Sequence, residues 1–235
     1  MKSALLWYKH LRATLEALGY TVNPYDECVF TKTEDGFECV VLVYVDDLMI
    51  LSETRRLTDD LILHLKITYK DVKHRDGDRH SYLGMQFSFN NDHLKITMEG
   101  YIDNILLENN VNGFRDQPAS GKLFESDDSE PLLPLSDQKR IHRVVAQLLY
   151  LSTRTRPDLA LVVNYLATRV NKFTESDDDK LLYCLQYLNN TRHLGLLVRV
   201  KSEGGIKIIC HADASFGIHA DGKSQSARVF TLGNG

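Results

Sequence analysis

The feature that most restricts the fold is a pair of apolar runs, residues 39–45 and 48–51, separated only by Asp46-Asp47. Both runs are rich in side chains that suit a pleated backbone. Two such runs with a two-residue polar break predict a tight hairpin with the carboxylates at its tip. Paired carboxylates there can hold a hard divalent cation, which takes oxygen ligands and keeps several waters. Adjacent residues in extended backbone face opposite ways, so Asp46 is the expected main ligand unless the turn rotates both inward. Asp is also an ordinary turn residue, because it accepts backbone hydrogen bonds and tolerates unusual dihedrals. The pair alone leaves both readings open.

The surroundings alternate strands and helices. Apolar residues at helical spacing predict a helix over 5–18, stopped by Gly19. Residues 28–32 read as a strand, followed by a turn at Glu34-Asp35-Gly36. Ser52 or Thr54 is placed to cap a helix running to residue 68. Strands are predicted over 81–89 and 94–97, then a helix over 101–110. Between 117 and 134 the composition shifts to Ser, Asp, Glu and Pro, the pattern of a linker. Three helices follow, over 137–152, 157–170 and 176–190, the second opening on Pro157. Strands over 196–200 and 206–211 precede Asp213, and 229–232 forms a last one. The fold class is α+β.

Bulk properties exclude little. The net charge of −4 does not favour a polyanionic partner, but a local basic face would suffice. The longest apolar run, 39–45, is too short to cross a bilayer, and the residues after Met1 show no signal-peptide pattern. Cys28, Cys39, Cys184 and Cys210 form no CxxC pair, so reduced thiols and an intracellular setting without a membrane are expected.

Other charged groups carry weaker signals. Asp177-Asp178-Asp179 reads as a helix cap, and Asp127, Asp128 and Glu130 read as solvated. Lys66, Lys70, Lys73, Arg75 and Arg79, with His74 and His80, form one candidate phosphate-contacting stretch, diluted by Asp71, Asp76 and Asp78. Arg154, Arg156 and Arg169 form a second. Trp7, Tyr8 and Leu11 read as core rather than base-stacking side chains. His211 and Asp213, two apart on a strand, share a face.

The order of short motifs resembles the reverse transcriptase of copia-type retrotransposon Pol polyproteins. Trp7-Tyr8, Leu18-Gly19-Tyr20, Asp26 and Cys28-Val29-Phe30 lead to Tyr44-Val45-Asp46-Asp47, which matches that family's catalytic signature. Tyr82-Leu83-Gly84-Met85 resembles its primer-gripping strand, and Tyr101-Ile102 with Ile105-Leu106 resembles the start of its thumb. Residues 148–152, Thr155-Arg156-Pro157-Asp158-Leu159, Tyr187-Leu188, Thr191 and Gly195-Leu196 resemble the helical segment after the thumb. Ala212-Asp213-Ala214-Ser215, Lys223-Ser224 and 229–233 resemble the opening of the attached ribonuclease H.

The resemblance implies a partial palm over 1–98, a thumb helix and linker over 99–135, a helical connection over 136–200 and the start of ribonuclease H over 201–235. It implies catalytic and metal-binding roles for Asp46 and Asp47, and a first ribonuclease H carboxylate at Asp213. Tyr44, Tyr82, Leu83, Gly84, Met85 and Lys73 become expected contacts to primer and nucleic acid. The reaction implied is nucleotidyl transfer with two Mg2+ or Mn2+ ions on an RNA or DNA template-primer with dNTP. The implied partner is the remainder of the Pol polyprotein, and the implied setting is cytoplasmic or in virus-like particles. The family's third carboxylate lies on a strand before Trp7, upstream of this chain, and Lys2 and Leu5 stand where the family carries Gln and Arg. Weak Mg2+ binding is therefore expected here. The alternative is a non-catalytic nucleic-acid-binding remnant of the same polyprotein, and a third reading is a metal-free structural protein.

Overall fold

The structure is a computed structural model that describes residues 2–126, 129–199, 208–219 and 221–231. It divides into two compact units, Met1–Gly77 and Asp78–Gly235. Mixed helices and antiparallel sheets bear out the α+β expectation.

The first unit opens with helix α1, Lys2–Ala17. It ends where Gly19 takes a φ of 87°, a left-handed value that glycine adopts without strain. Four antiparallel strands follow in sequential order: β1 Thr21–Val22, β2 Val29–Glu34, β3 Phe37–Tyr44 and β4 Asp47–Ser52. The predicted Asp35-Gly36 turn joins β2 to β3, both residues at positive φ, as a two-residue hairpin loop of primed type requires. Alternation along β3 sends Cys39, Val41 and Val43 into the core. Against that face lie Leu11 and Leu15 of α1 and Leu57, Leu61 and Leu65 of helix α2, Arg55–Tyr69. Each fully buried aliphatic side chain there contributes about 1.5–3 kcal/mol. Thr54 does stand before α2, but its hydroxyl makes no cap bond and is buried without a hydrogen-bond partner among the described residues.

The second unit holds β5 Arg79–Tyr82, β6 Met85–Phe89, β7 Leu94–Thr97 and helix α3 Glu99–Glu108. After them come α4 Leu135–Arg154, a 3-10 turn Pro157–Leu159, α5 Ala160–Arg169 and α6 Glu175–Asn190. Strand β8, Leu196–Val198, returns to β7 and closes a sheet of order β5-β6-β7-β8. Its apolar core is helical, built on Ile102, Ile105, Ile141, Leu148, Leu151, Val163, Leu166, Leu181 and Leu188. A separate antiparallel ribbon, β9 Ile209–Ser215 with β10 Gln225–Thr231, follows.

Several predicted elements are corrected. The strand over 81–89 is two strands, because Leu83 and Gly84 both take positive φ and reverse the chain. The helix over 157–170 opens as a 3-10 turn before α5 begins. The linker over 117–134 is partly tied down: Leu123 is buried, and Leu132 bridges Thr174. Asp213 lies inside β9 rather than after a strand. The readings of Asp127 and Asp128, and of positions 200, 206–207 and 232–233, lie outside the described residues.

Candidate catalytic turn and nucleic-acid face

Tyr44 pairs with Asp47 to close the β3-β4 hairpin, leaving Val45 and Asp46 as the two central residues. Val45 has a φ of 54° while Asp46 does not enter the positive range. This is the sign pattern of a type II′ turn, whose first central position normally takes glycine. A β-branched residue there stores strain of about 1–3 kcal/mol and persists only if its surroundings hold it. The holding contact is visible: the Trp7 indole N–H donates to the Val45 carbonyl oxygen at 2.7 Å. Trp7 in turn meets the Tyr69 ring edge-on, 4.9 Å between centroids. The Tyr69 hydroxyl lies 2.8 Å from His10 Nδ1 and 3.1 Å from Thr14 Oγ1.

Tyr44, Val45, Asp46 and Asp47 are all exposed, so the acidic tip faces solvent rather than apolar packing. Two adjacent carboxylates offer only hard oxygen donors, the set that suits Mg2+ or Mn2+ completed by water and phosphate oxygens. Among the described residues no third His, Cys, Asp or Glu gathers with them into a ligand cluster. The pair therefore fits a weakly held cation that a bound polyphosphate would help to retain. The role of Trp7 was not legible in the sequence, where helical spacing pointed to core; its bond to Val45 spans 38 residues.

In the second unit, Tyr82-Leu83-Gly84-Met85 is a hairpin turn, with Tyr82 buried and Gly84 exposed. The Tyr150 hydroxyl of α4 donates to the Leu83 carbonyl oxygen at 3.2 Å, and the Tyr150 ring packs edge-on against Tyr101. Lys73 is exposed in the irregular stretch that ends the first unit. In that stretch Asp76 is engaged by Arg55, so one of the acids diluting the basic charge is already paired.

Helix α4 separates its faces cleanly. Ile141, Val144, Val145, Leu148 and Leu151 are buried, whereas Lys139, His142, Arg143, Ala146, Tyr150 and Arg154 are exposed. At 100° per residue those exposed positions fall on one side of the helix. Arg140 is neutralised by Asp178 at 3.1 Å, and Asp137 is the helix's single acid. Arg154 lies over the Tyr150 ring at 5.3 Å. The result is a cationic face with a small residue at its centre, able to approach a phosphate backbone.

The second predicted basic patch is corrected by burial. Arg156 is 1% exposed and bonds Asp158 and Thr191, and Arg169 is 5% exposed and bonds Asp177. Neither can reach a ligand; only Arg154 of that set is available. Asp177 does cap α6, as expected, accepting from the Thr174 N–H at 3.3 Å. On β9, Asp213 is exposed opposite Ala227, and its Oδ1 accepts from the Ala214 N–H. His211 lies opposite Val229 on the same strand, also exposed.

The family model for reverse transcriptase (RNA-dependent DNA polymerase) matches residues 1–117, a span that contains the Val45-Asp46 and Leu83-Gly84 turns. An uncharacterized mitochondrial protein of Arabidopsis thaliana is 30% identical over 176 residues, covering 74% of this chain and 70% of its own. This chain belongs to the reverse transcriptase family of transposon Pol polyproteins. Within that family, a Saccharomyces cerevisiae protein ascribed to transposon Ty5-1 is 25% identical over 98% of this chain and 74% of its own length. The retrovirus-related Pol polyprotein from transposon RE1 of Arabidopsis thaliana is 25% identical over 97% of this chain, which spans 15% of that polyprotein. No solved structure matches. No helix among the described residues is long and apolar enough to cross a membrane.

Proposed function

We propose that this chain is a copia-type reverse transcriptase segment that handles a template-primer, with Asp46 and Asp47 as its cation-binding pair. The observation that carries this reading is the exposed acidic tip of the β3-β4 hairpin, held in strained backbone by Trp7. Strain that is actively held marks a place where geometry matters more than local stability. Divalent cations held by Asp46 and Asp47 would supply stabilisation of charge on the attacking and leaving oxygens of nucleotidyl transfer. Tyr44 borders the pair on β3. The Tyr82–Met85 turn and Lys73 are the proposed primer contacts, and the cationic face of α4 follows the polynucleotide backbone. Asp213 is the proposed first carboxylate of a ribonuclease H-like site whose other acids are not gathered among the described residues.

In this reading 1–98 is palm, 99–135 thumb helix and linker, 136–200 connection, and 201–235 the start of ribonuclease H. The remainder of the polyprotein supplies what a complete polymerase needs. Mg2+ binds the isolated chain with a Kd weaker than about 100 µM. Primer extension on poly(rA)/oligo(dT) with Mg2+ or Mn2+ tests the proposal. Extension that disappears in Asp46→Ala supports it. Template-primer binding without extension leaves the alternative, a non-catalytic polynucleotide-binding segment. Neither binding nor extension removes both.

A further inference from the structure

We infer that Trp7 is the positioning residue of the acidic turn, and that it is coupled to any cation held by Asp46 and Asp47. The inference rests on the proposed cation-binding reading of that turn and deepens it. Trp7 is the chain's single tryptophan. Its indole N–H bonds the carbonyl of Val45, the residue immediately before Asp46 and the one with left-handed backbone. A carbonyl held in place fixes the peptide plane between Val45 and Asp46, because that plane is rigid. The direction in which Asp46 leaves the turn is therefore tied to the indole.

The indole is itself held. Tyr69 packs edge-on against Trp7 and against His10, and its hydroxyl meets His10 Nδ1 and Thr14 Oγ1. Trp7, His10 and Thr14 lie on α1 and Tyr69 ends α2. Two helices thus converge on one side chain, and that side chain reaches one backbone atom of the turn. Apolar packing alone would be served by any large ring at position 7. The N–H bond to a backbone carbonyl is what a phenyl ring cannot supply.

Mn2+ is the probe for the test, used on the full chain. Tryptophan emission is followed as Mn2+ is added, and bound ion is measured separately from the loss of the free-ion EPR signal. The expected result is saturable quenching that Mg2+ reverses and Asp46→Ala abolishes. Trp7→Phe keeps a ring against Tyr69 but lacks the N–H. Its Mn2+ affinity, read by EPR, is expected to fall by up to about tenfold, the ceiling set by one neutral hydrogen bond, with a melting temperature lower by a few degrees because the same bond is made without the ion. In a Val45→Gly background, where positive φ costs nothing, the same substitution is expected to lose much less.

An EPR isotherm for Trp7→Phe that superimposes on wild type overturns the positioning role while leaving the cation site intact. So does an equal penalty in the wild-type and Val45→Gly backgrounds, which would assign the effect to packing. Absence of Asp46-dependent Mn2+ binding in the wild-type chain removes the cation-site reading itself, and the inference with it.

Discussion

Arg169 and Asp177 form a buried ion pair, 3.0 Å from Nε to Oδ2, with the side chains 6% and 0% exposed. The same carboxylate accepts from the Thr174 backbone at the start of α6, and its other oxygen faces Lys180 at 3.6 Å. One residue therefore caps a helix and neutralises a buried arginine. Truncating one partner of such a pair strands the other charge in apolar surroundings. Asp177→Ala is expected to destabilise the second unit by about 3–5 kcal/mol, read as a lower urea midpoint.

Arg156 and Asp158 make a second pair with a pH signature. Burial opposes ionisation of Asp158, but the hydrogen bond and charge of Arg156, aided by the Tyr187 hydroxyl, outweigh it and hold the carboxyl below its ordinary pKa. A depressed folded pKa means that the stabilisation is complete above the unfolded value of about 3.9 and is lost as pH falls through the folded value. Wild-type stability should fall more steeply below about pH 4 than that of Asp158→Asn. Above about pH 5 the variant should be less stable by a constant amount. Denaturant midpoints measured across this range check both limbs.

Gly195 is required by a close approach of backbone. A Cβ at this position would stand 2.2 Å from the carbonyl oxygen of Ile96 and 2.9 Å from Thr97 Cγ2. Gly195→Ala must push β8 off β7, at a cost of about 1–3 kcal/mol. Faster amide exchange confined to Leu94–Thr97 and Leu196–Val198 would show this, and unchanged protection there would refute it.

The four thiols should split in pairs. Cys28 and Cys210 are exposed, while Cys39 and Cys184 are buried. Burial pushes the Cys184 thiol up to about 12, and the Tyr20 hydroxyl donates to Cys39 Sγ at 3.2 Å. Burial and the charges of Asp26 and Glu27 also raise Cys28, so even this exposed thiol should react slowly at neutral pH. Titration with Ellman's reagent should give two groups in the native chain and four after denaturation.

The cationic face of α4 should announce itself in salt dependence. Lys139→Gln/Arg143→Gln/Arg154→Gln leaves the buried face untouched. It should weaken binding of a labelled duplex and flatten the log affinity–log salt slope by roughly 0.9 for each phosphate no longer neutralised. A matched triple at Lys9, Lys122 and Arg228 should leave the slope unchanged. Equal effects in both triples would mean that only net charge matters.

Much of this was readable from local pattern. Leu57, Leu61 and Leu65 repeat at helical spacing and all face the core. Cys39, Val41 and Val43 alternate and do the same. The Asp46-Asp47 interruption located the reversal to within one residue: the central pair is Val45-Asp46, and Asp47 already begins β4. The Leu83-Gly84 reversal was missed because only its second residue carries a turn signal; leucine at a φ of 53° is not something composition announces. Arg156 and Arg169 were misread because an arginine looks the same in sequence whether its acid waits beside it or not.

Residue spacing alone determined most of the helices and strands, and that the chain reverses beside two adjacent carboxylates, because those properties depend on neighbours within a few positions. The tertiary structure decided which charges remain available and what braces the tip. Trp7 reaches Val45 across 38 residues, Tyr150 reaches Leu83 across 67, and Arg156 finds Thr191 across 35. Hydrogen bonds and burial act through space over a few ångströms, and only the packed chain sets those distances.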